Sequence, residues 1–104
     1  MDTDIIIPIY NAFDFTKKCI ETVIEHTDLT KHTLLLINDK STDQRILPLL
    51  NLFTTEYPSL NITIINNESN QGFVRTVNIG MQHSSRDVVL LNSDTEVTKN
   101  WLPN

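Results

Sequence analysis

The chain has little of what marks several protein classes. Its one cysteine, Cys19, excludes an internal disulfide and a cysteine-rich zinc site, and its place among apolar positions of a helical pattern reads as a buried, inert thiol. Two glycines, Gly72 and Gly80, leave no glycine-rich basic loop of the kind that grips a triphosphate. Basic residues are outnumbered, 8 Lys and Arg against 13 Asp and Glu, and a net charge of -5 argues against holding nucleic acid by a basic face. Apolar runs stop at about five residues, far below the ~20 that a membrane-spanning helix needs. No basic segment followed by an apolar stretch opens the chain, so no signal peptide is expected. The expected setting is cytoplasmic, with peripheral membrane association of a full-length protein left open. The sequons at Asn61 and Asn67 carry little weight without a secretory signal.

What is present describes a soluble globular protein of 104 residues, one domain at most, 39% hydrophobic and 20% charged. Two periodicities alternate. "DIIIPIY" (4–10), "TLLLIN" (33–38), "LNITIIN" (60–66) and "DVVLLN" (87–92) are short apolar, largely β-branched runs of strand type. "FDFTKKCIETVIEHT" (13–27) repeats Phe13, Cys19, Ile20, Val23 and Ile24 at mostly helical spacing, with Lys17, Lys18, Glu21 and Glu25 largely on the other side. Ser41 followed by Gln44 resembles a capping box for a second helix, which Pro48 should kink or delay to Leu47. "GFVRTVNIGMQHS" (72–84) makes a third helix with Phe73, Val77 and Met81 spaced by four, and "TKNWL" (98–102) suggests the start of one more element. The fold class is therefore α/β: a Rossmann-like, mainly parallel four-stranded sheet with helices on both faces.

Ligands of such sheets bind beyond the carboxyl ends of the strands, so the residues just after each strand are the test. Tyr10 and Asn11 follow the first strand; Asn38, Asp39, Ser41, Thr42 and Asp43 the second; Asn66, Asn67, Asn70 and Gly72 the third. In "VVLLNSDTEV" (88–97) four apolar residues run straight into Asn92, Ser93, Asp94, Thr95 and Glu96. One sheet edge thus collects an aromatic ring, amides and two acidic clusters. An acidic chain that binds a phosphate compound needs a divalent cation or backbone N–H groups to meet its charge. His26, His32 and His83 form no metal-ligand spacing and read as surface or structural residues.

"IIIPIYNA", "LLINDKSTD", "NESNQGFVRTVNIG" and "VVLLNSDTEVTKNWL", in that order, resemble the nucleotide-sugar-binding half of the family-2 glycosyltransferases, inverting enzymes of the GT-A fold. The resemblance covers essentially the whole chain, so residues 1–104 are expected to form a partial GT-A domain with the acceptor half absent. It implies that Pro8, Tyr10 and Asn11 shape the base pocket, with Tyr10 against the ring, a planar contact of low entropic cost. Asp39 matches the second acid of a "DDxSxD" segment and would accept the ring N–H of the base; Asn38 replaces the first acid. Asn70, Gly72 and Asn78 match "NxGxxxxxN", where the opening of the helix can face phosphate or ribose. Arg75 either reaches a phosphate or is solvated. Ser41 and Asp43 either serve this site or cap the second helix.

Asn92, Ser93 and Asp94 stand at the family's DxD motif, whose carboxylates hold Mg²⁺ or Mn²⁺ against the diphosphate. With Asn92 replacing the first acid, the resemblance makes Asp94 the metal ligand and leaves Asn92 to ribose or water; Glu96 reads as a solvated neighbour. The donor implied is a nucleoside diphosphate sugar, UDP first with dTDP and GDP also open. The acceptor would be a glycan or a lipid-linked sugar, as in polysaccharide biosynthesis. The catalytic base matches no carboxylate here and is expected beyond residue 104, so Trp101 and Leu102 read as anchors for absent structure whose exposure would favour self-association. The alternative is a non-catalytic nucleotide-binding module, or an inactive fragment, of the same fold. A receiver domain and a haloacid-dehalogenase-type phosphatase fit poorly, because both need acids after the first strand, where "PIYN" stands.

Overall fold

The computed structural model describes residues 2–102. Four strands and three helices alternate: β1 (Thr3–Ile9), α1 (Phe13–His26), β2 (Thr33–Asn38), α2 (Ile46–Glu56), β3 (Ile62–Asn66), α3 (Phe73–His83) and β4 (Asp87–Leu90). All four strands are parallel, in the order β3-β2-β1-β4. β1 is central, with Ile5 opposite both Leu34 and Val89, and every residue of it is buried. That is why "TDIIIPI" is almost continuously apolar rather than alternating.

The two faces are built differently. On one, Ile5, Ile7, Ile9, Leu34 and Leu36 pack with Cys19, Ile20 and Val23 of α1 and Ile46, Leu49, Leu50 and Phe53 of α2. Each such side chain stabilises the fold by roughly 1.5–3 kcal/mol on burial. On the other, Ile6, Leu35 and Ile37 form a smaller cluster beneath α3. There the helix lies so close that a Cβ on Gly80 would meet Ile37 Cδ1 at 2.6 Å and Ile6 Cγ2 at 2.9 Å.

The local structure sharpens several expectations. α2 begins at Ile46, one residue before the expected start near Leu47, with Pro48 inside its first turn, where a missing N–H costs nothing. No side chain caps α2; Ser41 Oγ instead accepts the Asn11 backbone N–H at 2.9 Å, and Asp43 Oδ1 takes the Arg45 backbone N–H at 3.0 Å. α3 buries Thr76 and Gly80, whereas Phe73 (55%) and Met81 (53%) stand exposed, because close approach to the sheet demands small residues. Residues 98–102 form a turn, with the Trp101 N–H on the Thr98 carbonyl. Trp101 and Leu102 are anchors, but for this chain: they pack against the larger cluster, and the Trp101 indole N–H donates to Thr27 Oγ1 at 2.8 Å.

Candidate functional site

The first two crossovers step from β1 to β2 to β3; the third carries the chain back to the other side of β1. The order reverses between β1 and β4, and a crevice opens beyond their carboxyl ends. It is a cleft of about 400 Å³ lined by Pro8, Ile9, Tyr10, Ala12, Phe15, Asp39, Phe73, Thr76, Asn92, Ser93 and Asp94. Five of the sequence-derived candidates, Pro8, Tyr10, Asp39, Asn92 and Asp94, therefore meet in one place.

Tyr10 reaches the cleft because it continues the β1 alternation of Ile6 and Pro8 toward the α3 face, and it is 48% exposed. The turn after it is held in a left-handed conformation at Asn11 (φ 55) and Ala12 (φ 53), costly for a non-glycine residue and often kept at functional sites. Asn11 offsets part of that cost. Its Nδ2 donates to Thr42 Oγ1 at 3.0 Å and its Oδ1 accepts the Asp43 backbone N–H at 2.9 Å. It thus ties the β1–α1 turn to the β2–α2 loop and does not itself line the cleft.

Asp39, just past β2, is 4% exposed. Its Oδ1 accepts Gln71 N–H at 2.7 Å and Asn67 Nδ2 at 2.9 Å, and its Oδ2 accepts Gly72 N–H at 2.9 Å. Burial pushes this carboxyl up, but those bonds together outweigh it and hold it below its ordinary value of 3.8. Two backbone amides at the opening of α3 are thereby committed to an internal anion. Gly72 permits this with φ 84, ψ 166, a conformation closed to residues with a Cβ. The Thr76 hydroxyl lies beside the same carboxyl and also helps hold it down. Asn70 supports the same corner, its Nδ2 donating to the Asp39 carbonyl at 3.2 Å. Asn78 is exposed on α3, apart from the cleft lining, as is Arg75.

Five lining residues were not among the sequence-derived candidates: Ile9, Ala12, Phe15, Phe73 and Thr76. Phe73 directly follows Gly72, so the turn into α3 was a usable signal. Thr76 is buried and its Oγ1 accepts Asn67 Nδ2 at 3.2 Å, a tertiary contact with no mark in the sequence. His32 is a satisfied core histidine whose Nδ1 accepts the Thr3 N–H at 3.0 Å.

After β4, Asn92, Asp94 and Glu96 are exposed, and no ion pair among the described residues uses Asp94. The described residues hold no group of three or more His, Cys, Asp or Glu able to enclose a metal. One carboxylate beside amide and hydroxyl oxygens is nonetheless a donor set suited to a hard cation that takes its other ligands from phosphate and water. Asn92, Ser93 and Asp94 fit such an ion.

A parallel α/β sheet whose strand order reverses beside this cleft defines a doubly wound α/β domain. Residues 4–104 match the model of glycosyl transferase family 2, and the chain belongs to that family, with the GT-A fold. An uncharacterized glycosyltransferase of Bacillus subtilis (strain 168), YwdF, is 29% identical over 96 residues, 92% of this chain and 33% of that protein. The mannosyltransferase PcManGT from Pyrobaculum calidifontis, in complex with GDP-Man and Mn²⁺, superposes with a TM-score of 0.80 at 19% identity, covering 88% of this chain and 27% of that one. GalNAc-T7 with UDP, GalNAc and Mn²⁺ gives 0.84 at 20% identity, over 97% and 19%. S. aureus TarS 1-349 in complex with UDP gives 0.73 at 21% identity, over 90% and 28%. The chain thus spans a third of the curated relative and less of these solved chains.

Proposed function

We propose that this chain is the donor-binding part of an inverting glycosyltransferase that uses a nucleoside diphosphate sugar with Mg²⁺ or Mn²⁺. One observation carries the reading: Tyr10, Asp39 and Asp94, from the ends of three strands, line a single cleft where the strand order reverses. Tyr10 presents an exposed ring for the base to lie against. Asp39, which lines the cleft, accepts the ring N–H of the base. Pro8 and Asn11 shape and fix the turn that carries Tyr10, and Asn70 and Gly72 hold the α3 corner that carries Asp39's partners. Asn92 faces the ribose, and Asn78 lies at the periphery. Asp94, with Ser93, would hold the cation, which when bound offsets the negative charge gathered by the departing diphosphate.

Family membership and the nucleotide-sugar complexes of PcManGT and GalNAc-T7 support sugar transfer as the reaction. In the inverting reaction a base takes the acceptor hydroxyl proton while that oxygen attacks the anomeric carbon opposite the leaving diphosphate. We assign the base and the acceptor site, for a glycan or lipid-linked sugar, to sequence outside these residues.

The test is a set of calorimetric titrations of UDP, dTDP and GDP, each with Mn²⁺ and with EDTA. Saturable heat with Mn²⁺ for one of them, UDP first, and little with EDTA is the expected outcome. Absence of all three signals, both in this chain and in one extended past residue 104, would overturn the reading.

A further inference from the structure

The segment carrying Asp94 is bolted to α1 at both ends. On its near side, the Cys19 thiol donates to the Asn92 carbonyl at 3.6 Å. Burial holds that thiol up at about 11, against the Thr95 backbone and with Asp94 and Glu96 adding to the rise, so it keeps its proton at neutral pH. On its far side, the Val97 N–H donates to Thr22 Oγ1 at 3.1 Å, in a buried bond. The Thr22 hydroxyl is itself oriented, because its own proton goes to the Cys19 carbonyl at 2.9 Å. Its lone pairs are thereby turned toward Val97. Leu91 and Val97 flank the segment as buried members of the same cluster as Cys19, Ile20 and Val23. Within it, the Thr95 N–H closes a turn on the Asn92 carbonyl at 3.0 Å.

We infer that Thr22 is a positioning residue for Asp94: by holding the Val97 amide it fixes the 93–96 turn so that the carboxylate is presented to the cation in the cleft. The inference rests on the proposed donor role. Thr22 is a buried residue of α1, next to Val23 of the larger cluster in sequence, and does not line the cleft. A threonine there is explained by the amide it accepts. Valine has nearly the same shape but leaves that buried amide without a partner.

Two measurements on Thr22→Val and Thr22→Ser test it. Hydrogen exchange should show the Val97 amide about tenfold less protected in Thr22→Val, with β1 and β2 unchanged and Thr22→Ser close to wild type. In titrations of UDP, the ratio of affinities with Mn²⁺ and with EDTA should fall about tenfold in Thr22→Val and be restored in Thr22→Ser, with the EDTA affinity itself unaltered. If wild type depends on Mn²⁺ and Thr22→Val keeps the same ratio, the positioning role is overturned while the donor reading stands. If wild type binds UDP equally with Mn²⁺ and EDTA, the metal role of Asp94 falls and the inference falls with it. Unchanged Val97 protection in Thr22→Val would overturn it without any ligand.

Discussion

Asp39 and Asp94 line the same cleft at opposite extremes of solvation. Asp39 is buried under three hydrogen bonds from Asn67, Gln71 and Gly72, while Asp94 stands exposed on a turn whose backbone, not its carboxylate, is held. The first is kept charged by the fold, since the amides of α3 stabilise it wherever the ligand is. The second keeps both oxygens for something else. One carboxylate thus assembles the site, whereas the other makes no ion pair among the described residues. A cleft that separates these duties can be preorganised without consuming its own binding groups.

The strongest way to break this contrast is to remove each carboxylate. Asp39→Ala leaves the Gln71 and Gly72 amides without their charged acceptor and should cost about 3 kcal/mol in urea unfolding. Asp94→Ala should stay within about 0.5 kcal/mol of wild type. Equal costs would erase the distinction. Next in size is Gly80→Ala, whose methyl would meet Ile37 and Ile6 below 3.0 Å. Lifting α3 should cost about 1–3 kcal/mol in thermal unfolding. Because it draws the α3 amides away from Asp39, its effect should be less than additive with Asp39→Ala. An additive double variant would mean that the α3 packing and the Asp39 bonds are independent.

The smallest expected effect is in acid. The folded pKa of Asp39 lies below its ordinary 3.8, so its contribution to stability is present above that value and is lost as the pH falls through the folded one. Asp43, held down to about 2 by the hydrogen bonds from Arg45, acts in the same direction, weakly because its partner Arg45 is exposed. The urea midpoint should therefore drop as pH is lowered from 4 toward 2, between the ordinary carboxylate value and that of Asp43. Asp39→Asn should flatten this slope, and an unchanged slope would remove Asp39 from the account of acid sensitivity.

Much of the fold was legible because strands buried on both faces write themselves as unbroken β-branched runs, as in "TDIIIPI" and "TLLLIN". α1 was legible because its apolar side chains do the packing. The buried side of α3 was not legible, because its contact with the sheet is made by Thr76 and Gly80 and a hydrophobic pattern does not register small residues. Trp101 was placed on absent structure because its partner, Thr27, is remote in sequence. Of the site, the residues that directly follow strands β1, β2 and β4 were legible, since parallel topology alone gathers them. Phe15, Phe73 and Thr76 enter through helix placement, and the carboxylate of Asp39 turned out to be committed to backbone amides 32 and 33 residues away.

The most direct measurement is calorimetric titration of UDP into wild type and Asp94→Ala at one Mn²⁺ concentration, with unfolding temperatures recorded alongside. The account predicts saturable, metal-dependent binding in wild type, its loss in Asp94→Ala, and matching unfolding temperatures without ligand. Metal-dependent binding of equal strength in both proteins would contradict it.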